Sequence, residues 1–147
     1  MTPADLEQRI REGIPLAAQM DFRVLSLTDH SIRVRGGAAE NVNVHGTAFA
    51  GSLYAIATLA AWGLVRSRLP DGADLVMAEA RIRYLRPIVG ELNAECQIES
   101  GTFSEFLSLL STRGKALLEA AVEMPGPSGP GALFEAKLHA RMRPAGE

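Results

Sequence analysis

The sequence is poor in cysteine and in aromatic residues: among 147 residues there is one cysteine, and aromatic side chains make up 5%. A single cysteine, Cys96, cannot form an intrachain disulfide and argues against a cysteine-based metal site. Because 47% of the residues are nevertheless hydrophobic, aliphatic side chains and alanines must fill the core. We predict one domain over residues 1–147, long enough to bury such a core, without a bound metal.

A surplus of positive charge is also missing, since the formal net charge is −2. This balance gives no electrostatic reason to bind nucleic acid or an anionic membrane, so neither is expected as a partner. Residues 1–12 are charged and lack the apolar stretch of a secretory signal peptide. We therefore predict a cytoplasmic protein.

Residues 41–65 contain no Asp, Glu, Lys or Arg, and this uncharged run is the most informative part of the sequence. A transmembrane helix, which needs about 20 predominantly apolar residues, is one explanation of such a run. However, small and polar residues interrupt it, and the flanking segments alternate like ordinary strands. We predict a long core helix from about Gly46 to Arg68, and no membrane span.

The remaining periodicity predicts helices and strands in a mixed order. Two further helices are expected, one between Thr2 and Gly13 and one between Thr102 and Gly114. Strands are expected over residues 23–28, 31–36, 76–84, 92–98, 118–123 and 134–140. Each strand has an apolar and a charged face, which indicates an antiparallel sheet solvated on one side. We therefore predict an α+β protein with the hot-dog fold, in which a curved antiparallel sheet wraps around a long central helix.

Three finer expectations concern the sheet. The alternation places Val76 and Ala78 on the apolar face of their strand. A turn after this strand would let Arg81 or Arg83 oppose Glu95 on the next strand. The segment PGPSGPG is expected to be a mobile hairpin loop rather than a linker between domains.

The segments NVHGTAFAGSLYAIATLAAWGL and YLRPIVGEL, in this order of elements, resemble the hot-dog thioesterases. Within that superfamily the chain is similar to the family typified by the YiiD C-terminal domain, over nearly its whole length. The resemblance implies a homodimer, or a tetramer built from dimers, whose sheets join edge to edge. It also implies an acyl-thioester substrate bound at the dimer interface. Coenzyme A, or the phosphopantetheine of an acyl carrier protein, would be part of that substrate and not a separate cofactor.

The polar residues before the long helix supply the first candidate site residues. Free N–H groups at a helix start bind oxyanions and polarised carbonyls. The resemblance places the thioester carbonyl there, with Gly46 and Thr47 as backbone donors. Asn43 and His45 would position water or the carbonyl. In the alternative interpretation Asn43 is a structural turn residue and His45 only caps the helix.

Many hot-dog thioesterases carry an Asp or Glu about two turns into this helix, as general base or nucleophile. Counted from His45, that position falls at Tyr54, with Ser52 just before it, and no carboxylate lies on the helix. Ser52 and Tyr54 are therefore candidate catalytic residues, although a core residue with a satisfied hydroxyl is the favoured interpretation of Tyr54. Seven helical positions, about 10 Å, separate Ser52 from His45 of its own chain, so a partner subunit would have to supply its base. The missing carboxylate leaves a second hypothesis open, a non-hydrolytic acyl-thioester binding module in fatty-acid or polyketide metabolism. A dehydratase is a weaker third.

The remaining candidates lie on the predicted strand and just after it. Arg83 and Arg86 could bind the phosphates of coenzyme A, because guanidinium groups bind phosphate in a bidentate way. Pairing with strand carboxylates is the alternative role for Arg83. Glu79 is a minor candidate for a water-activating base. Phe49 and Leu53 are expected to shape the acyl end of the pocket.

Overall fold

The structure is a computed structural model that describes residues 1–146. Its helices are α1 (Pro3–Gly13), α2 (Pro15–Gln19), α3 (Ala50–Arg68) and α4 (Ser100–Arg113), with one 3-10 turn at Ala39–Asn41. Its strands are β1 (Arg23–Leu27), β2 (Ser31–Gly36), β3 (Ala73–Tyr84), β4 (Leu92–Gln97), β5 (Lys115–Gly126) and β6 (Gly129–Met142). The predicted order of elements is confirmed, and α2 is an addition that the sequence pattern did not indicate.

The six strands form one sheet in the order β1-β2-β4-β5-β6-β3, and every neighbouring pair is antiparallel. Helix α3 packs against β2, β3, β4, β5 and β6, so the sheet must curve around it. Aliphatic side chains from α3 and from the inner faces of the strands form one continuous core. The predicted α+β architecture, a curved antiparallel sheet around a central helix, is confirmed.

Helix α3 is the buried core helix predicted for the uncharged run. Its last turn is held by Arg66, whose guanidinium donates to the carbonyl oxygens of Ala73 at 2.6 Å and Pro70 at 2.7 Å. Within residues 1–146, none of the helices combines the length and the apolar character needed to cross a bilayer.

The face assigned to the first half of β3 is wrong. A β-bulge between Met77 and Glu79 places one extra residue in this strand. Because side chains alternate with a period of two, the extra residue reverses the faces on one side of the bulge. Leu75 is therefore buried, whereas Val76 and Ala78 are exposed.

The predicted pairing of Arg81 or Arg83 with Glu95 is also wrong. Strand β3 pairs with β6, where Arg81 donates to Glu135 at 2.8 Å, and Glu95 accepts from Arg33 of β2 at 3.1 Å. The N–H groups of Leu85 and Arg86 both bind the carbonyl oxygen of Gly131 in β6. These hydrogen bonds continue the contact with β6 beyond the end of β3. The chain therefore does not form a hairpin in which the next strand pairs with β3.

The PGPSGPG segment is a tight hairpin and not a seven-residue loop. Strand β5 continues to Gly126 and β6 begins at Gly129, so only Pro127 and Ser128 form the turn. Gly129 has a φ of +143°, a backbone conformation that residues other than glycine rarely adopt. The turn therefore requires glycine at position 129 of the PGPSGPG segment.

Candidate active site

Helix α3 begins at Ala50, four residues later than predicted. The preceding residue, Phe49, is extended, with φ −68° and ψ 131°, and provides no side-chain cap. The first helical hydrogen bond runs from the N–H of Leu53 to the carbonyl oxygen of Phe49. The N–H groups of Ala50, Gly51 and Ser52 have no acceptor within residues 1–146. These three groups, with the positive end of the helix dipole, can hold an oxyanion or a carbonyl oxygen.

Gly46 and Thr47 lie in the loop before α3, and their N–H groups are not free. The N–H of Gly46 donates to the carbonyl oxygen of Asn43 at 3.1 Å. The N–H of Thr47 donates to the side-chain Oδ1 of Asn43 at 3.2 Å. The prediction that these two amides begin the helix as open donors is therefore wrong.

The Asn43 side chain builds this loop. Its Oδ1 also accepts the N–H of His45 at 2.8 Å, and its Nδ2 donates to Thr47 Oγ1 at 2.9 Å and to the carbonyl oxygen of Ala48 at 3.2 Å. Both ends of the amide are thus bonded within the loop, which supports the structural role for Asn43. The His45 side chain is exposed and has no hydrogen bond within residues 1–146. Its role in handling water stays a prediction.

Buried Asn41 anchors the loop that precedes α3, and it was not predicted to have a role in the site. The side chain is 2% exposed, and its Nδ2 donates to the carbonyl oxygens of Met20 at 2.9 Å and Gly37 at 2.7 Å. The backbone oxygen of Asn41 accepts the N–H of Phe49 at 2.8 Å. Asn41 therefore joins three segments and fixes where α3 begins. The two glycines before it, Gly36 and Gly37, are the sequence feature that indicates close packing here. A side chain at these positions would meet Asn41 and Glu40.

Ser52 and Tyr54 lie near the free amides. Ser52 is 9% exposed, and its hydroxyl has no hydrogen-bond partner within residues 1–146. The ring of Tyr54 packs edge-to-face on the buried Phe134 ring, with centroids 5.3 Å apart. Tyr54 is therefore partly a packing residue, while the Ser52 hydroxyl remains open to a ligand.

Tyr84, which was not predicted as a site residue, reaches the same helix start. Its hydroxyl donates to the carbonyl oxygen of Ala50 at 2.8 Å. Burial raises the pKa of Tyr84, and nearby Tyr54 adds to the increase. The strand alternation could have indicated this position, because it puts Tyr84 on the inner face with Ile82 at the end of β3.

The charged candidates Glu79, Arg83 and Arg86 differ in their surroundings. Glu79 lies 3.5 Å from Lys137 on the outer face of the sheet, whereas α3 packs on the inner face, so its proposed role as base is wrong. Arg83 is exposed and has no ion pair within residues 1–146. Arg86 donates to the carbonyl oxygen of Pro130 at 2.8 Å. Neither guanidinium is neutralised by a carboxylate of the described chain.

Helix α3 carries no carboxylate, and two turns from its start, about seven residues after Ala50, lie Ala57 and Thr58. Ala57 is buried, and Thr58 Oγ1 donates to the carbonyl oxygen of Tyr54 at 2.9 Å. Neither residue is acidic. No cluster of three His, Cys, Asp or Glu side chains suited to a metal ion occurs in residues 1–146.

Comparison with known proteins identifies the fold and the family of the chain. Residues 3–138 match a family model described as "Putative thioesterase (yiiD_Cterm)". A protein from Shewanella oneidensis, described as a putative thioesterase, is 32% identical and superposes with a TM-score of 0.82, over 95% of this chain and 96% of that chain.

Two more distant structures show the same fold. A protein of unknown function from Chlorobaculum tepidum is 21% identical, with a TM-score of 0.88 over 97% of this chain and 98% of its own. A thioesterase from Haemophilus influenzae is 14% identical, with a TM-score of 0.75 over 97% and 92% of the two chains. The chain therefore has the hot-dog fold and belongs to the thioesterase family of the YiiD C-terminal domain.

Proposed function

We propose that this protein hydrolyses acyl thioesters of coenzyme A or of an acyl carrier protein. The observation that carries the proposal is the set of free N–H groups at Ala50, Gly51 and Ser52, in a chain of a thioesterase family. The thioester carbonyl oxygen accepts from these donors. Removal of a single oxyanion donor costs about 2.7–4 kcal/mol in other enzymes, so the set can supply a large part of the catalysis.

Water attacks the carbonyl carbon, the carbon–sulfur bond breaks, and the departing thiolate takes up a proton. The Ser52 hydroxyl is suited to hold the attacking water, because it lies in the same turn as the free amides and has no partner within residues 1–146. His45 supplies an imidazole, the commonest general base in enzymes. Asn43 acts by holding the loop that carries His45. No separate cofactor is required.

Dimerisation through β3 would complete the site. Strand β3 is twelve residues long and forms one edge of the sheet, so its outer backbone groups can pair with a second copy. Next to its end lies an apolar rim, defined as the exposed Val42, Val44, Phe49, Tyr84, Leu85 and Val89. Val44 in this rim is 96% exposed, and a group of exposed apolar side chains, unlike a single one, marks an interaction surface. A partner subunit covering this rim would place the site at the interface, with Arg83 and Arg86 available for the phosphates of coenzyme A.

The primary test is hydrolysis of a panel of acyl-CoAs, from acetyl to palmitoyl, by the purified protein. The Ala50→Pro variant removes one free donor while the helix persists, because proline is tolerated at the first helical position and Phe49 already has an extended ψ. We expect kcat to fall about 100-fold if this donor serves the oxyanion. Ser100→Pro is the matched control, since Ser100 is the first residue of α4 and follows Glu99 with a ψ of 137°. Equal kcat in Ala50→Pro and wild type would remove the Ala50 donor from the mechanism.

A second candidate function follows from the missing carboxylate on α3. Without it, the same site would bind an acyl thioester and not hydrolyse it. Tight binding of a non-hydrolysable acyl-CoA analogue, combined with no turnover across the panel, would establish this function. His45→Ala separates the two further, because it should lower turnover at least tenfold in a hydrolase and leave analogue affinity unchanged.

A further inference from the structure

Phe49 occupies the space beside the free amides. Phe49 is 53% exposed, although it is a large apolar residue directly before a core helix. The ring lies against Gly51: its Cε2 is 2.6 Å and its Cζ 3.0 Å from the point where a Cβ on Gly51 would be. Gly51 thus lets the aromatic ring approach the backbone more closely than any side chain would permit.

The position of the ring limits what can bind next to the amides. A carbonyl oxygen bound to an N–H lies about 2.9 Å from the nitrogen, and the two substituents of its carbon lie only about two bonds further away. For a thioester, these substituents are the sulfur and the α-carbon of the acyl group. A substituent that lies on the Gly51 side of the carbonyl carbon shares this space with the ring of Phe49, so the ring limits the bulk allowed there.

We propose that Phe49 is a specificity-determining residue that excludes acyl groups branched at the α-carbon. The inference rests on the proposed function, since it requires the thioester carbonyl at Ala50–Ser52. It also changes the expected role of Phe49, which acts beside the reacting carbon and not at the far end of the acyl chain. Leu53, the other residue expected to shape the acyl end, is 4% exposed and packs in the core.

The test compares butyryl-CoA with isobutyryl-CoA, which differ in branching at the α-carbon. One methyl group in a packed pocket changes selectivity by about 10–200-fold, so we expect Phe49→Ala to raise the isobutyryl-to-butyryl ratio of kcat/KM about tenfold. Phe49→Leu, which retains part of the bulk, should give an intermediate ratio. Because Phe49 is half exposed, neither substitution opens a cavity in the core.

The control is Leu117→Ala, which removes an exposed apolar side chain from β5, away from the start of α3. Its ratio should stay within twofold of wild type. If wild type hydrolyses butyryl-CoA and Phe49→Ala leaves the ratio unchanged, the role of Phe49 is refuted while the proposed function stands. If wild type neither hydrolyses nor binds either acyl-CoA, both the proposed function and this inference are refuted.

Discussion

The hydroxyl of Tyr84 donates a 2.8 Å hydrogen bond to the carbonyl oxygen of Ala50, which joins the end of edge strand β3 to the first residue of α3. The same residue of α3 offers a free N–H in the proposed site. The hydrogen bond therefore ties the end of the edge strand to the helix start.

Tyr84→Phe removes this hydrogen bond and keeps the ring. We expect the free energy of unfolding to fall by about 0.5–1.5 kcal/mol, the usual net contribution of one hydrogen bond. The measurement is urea denaturation followed by circular dichroism. Tyr54→Phe is the matched control, because the Tyr54 hydroxyl has no hydrogen bond within residues 1–146 and its removal should cost less. Equal losses in the two variants would contradict the role given to the Tyr84 hydroxyl.

Asn41→Ala should be strongly destabilising. It leaves the carbonyl oxygen of Gly37 without its donor, whereas that of Met20 keeps the N–H of Gly37, and a buried group that loses its partner costs about 1–3 kcal/mol. The buried Oδ1 of Asn41 has no partner within residues 1–146, so its removal offsets part of that cost. We expect a net loss of about 2 kcal/mol in urea denaturation. Asn93→Ala, on the outer face of β4, should change stability by less than about 0.5 kcal/mol.

Cys96 should be inert in the folded protein. The side chain is 1% exposed, and burial raises the pKa of its thiol to about 12. Since the thiolate is the reactive form, Ellman's reagent at pH 8 should label Cys96 only when the chain unfolds. The labelling rate should therefore rise in parallel with the unfolded fraction as urea is added. Rapid, complete labelling without denaturant would show that Cys96 is not buried as described.

The inner faces of β4, β5 and β6 could be predicted from the sequence, because strict alternation leaves one register that buries the apolar side chains. In β3 the same rule failed at the bulge, since nothing in the alternation marks the extra residue. The partner of β3 was missed for another reason. The path of the chain after β3 is set by hydrogen bonds from the N–H groups of Leu85 and Arg86 to the carbonyl oxygen of Gly131. That residue lies far from β3 in the sequence.

The start of α3 was misplaced because its determinants are also distant in sequence. The residues before Ala50 have helix-compatible side chains, and Asn43 looked like a residue that precedes a helix. In the structure, however, the N–H of Ala48 binds Ile88 and the N–H of Phe49 binds Asn41. These bonds hold residues 48–49 extended, so the helix begins at Ala50, four residues later than the sequence pattern predicted.

Asp21 lies among three arginines. Its carboxylate is 3.1 Å from Arg23 Nε, 3.3 Å from Arg35 Nη1 and 3.6 Å from Arg11 Nη1. Burial by itself would raise the pKa of Asp21, but hydrogen bonds from Arg23 and Arg35 outweigh it and hold the pKa below the ordinary value of 3.8. Asp21 also has a φ of +51°, which asparagine adopts readily, so Asp21→Asn removes the charge without new backbone strain.

Because the pKa is lower in the folded protein than in the unfolded chain, ionised Asp21 stabilises the fold above pH 3.8. This contribution is lost as the pH falls through the folded-state pKa, where the carboxylate takes up a proton. Asp21→Asn should therefore be less stable than wild type at pH 7, and the difference should shrink steadily below about pH 4. Urea denaturation of both proteins at pH 7, 4 and 2.5 measures this difference in the free energy of unfolding. A difference independent of pH would mean that Asp21 acts through its shape and hydrogen bonds rather than through its charge.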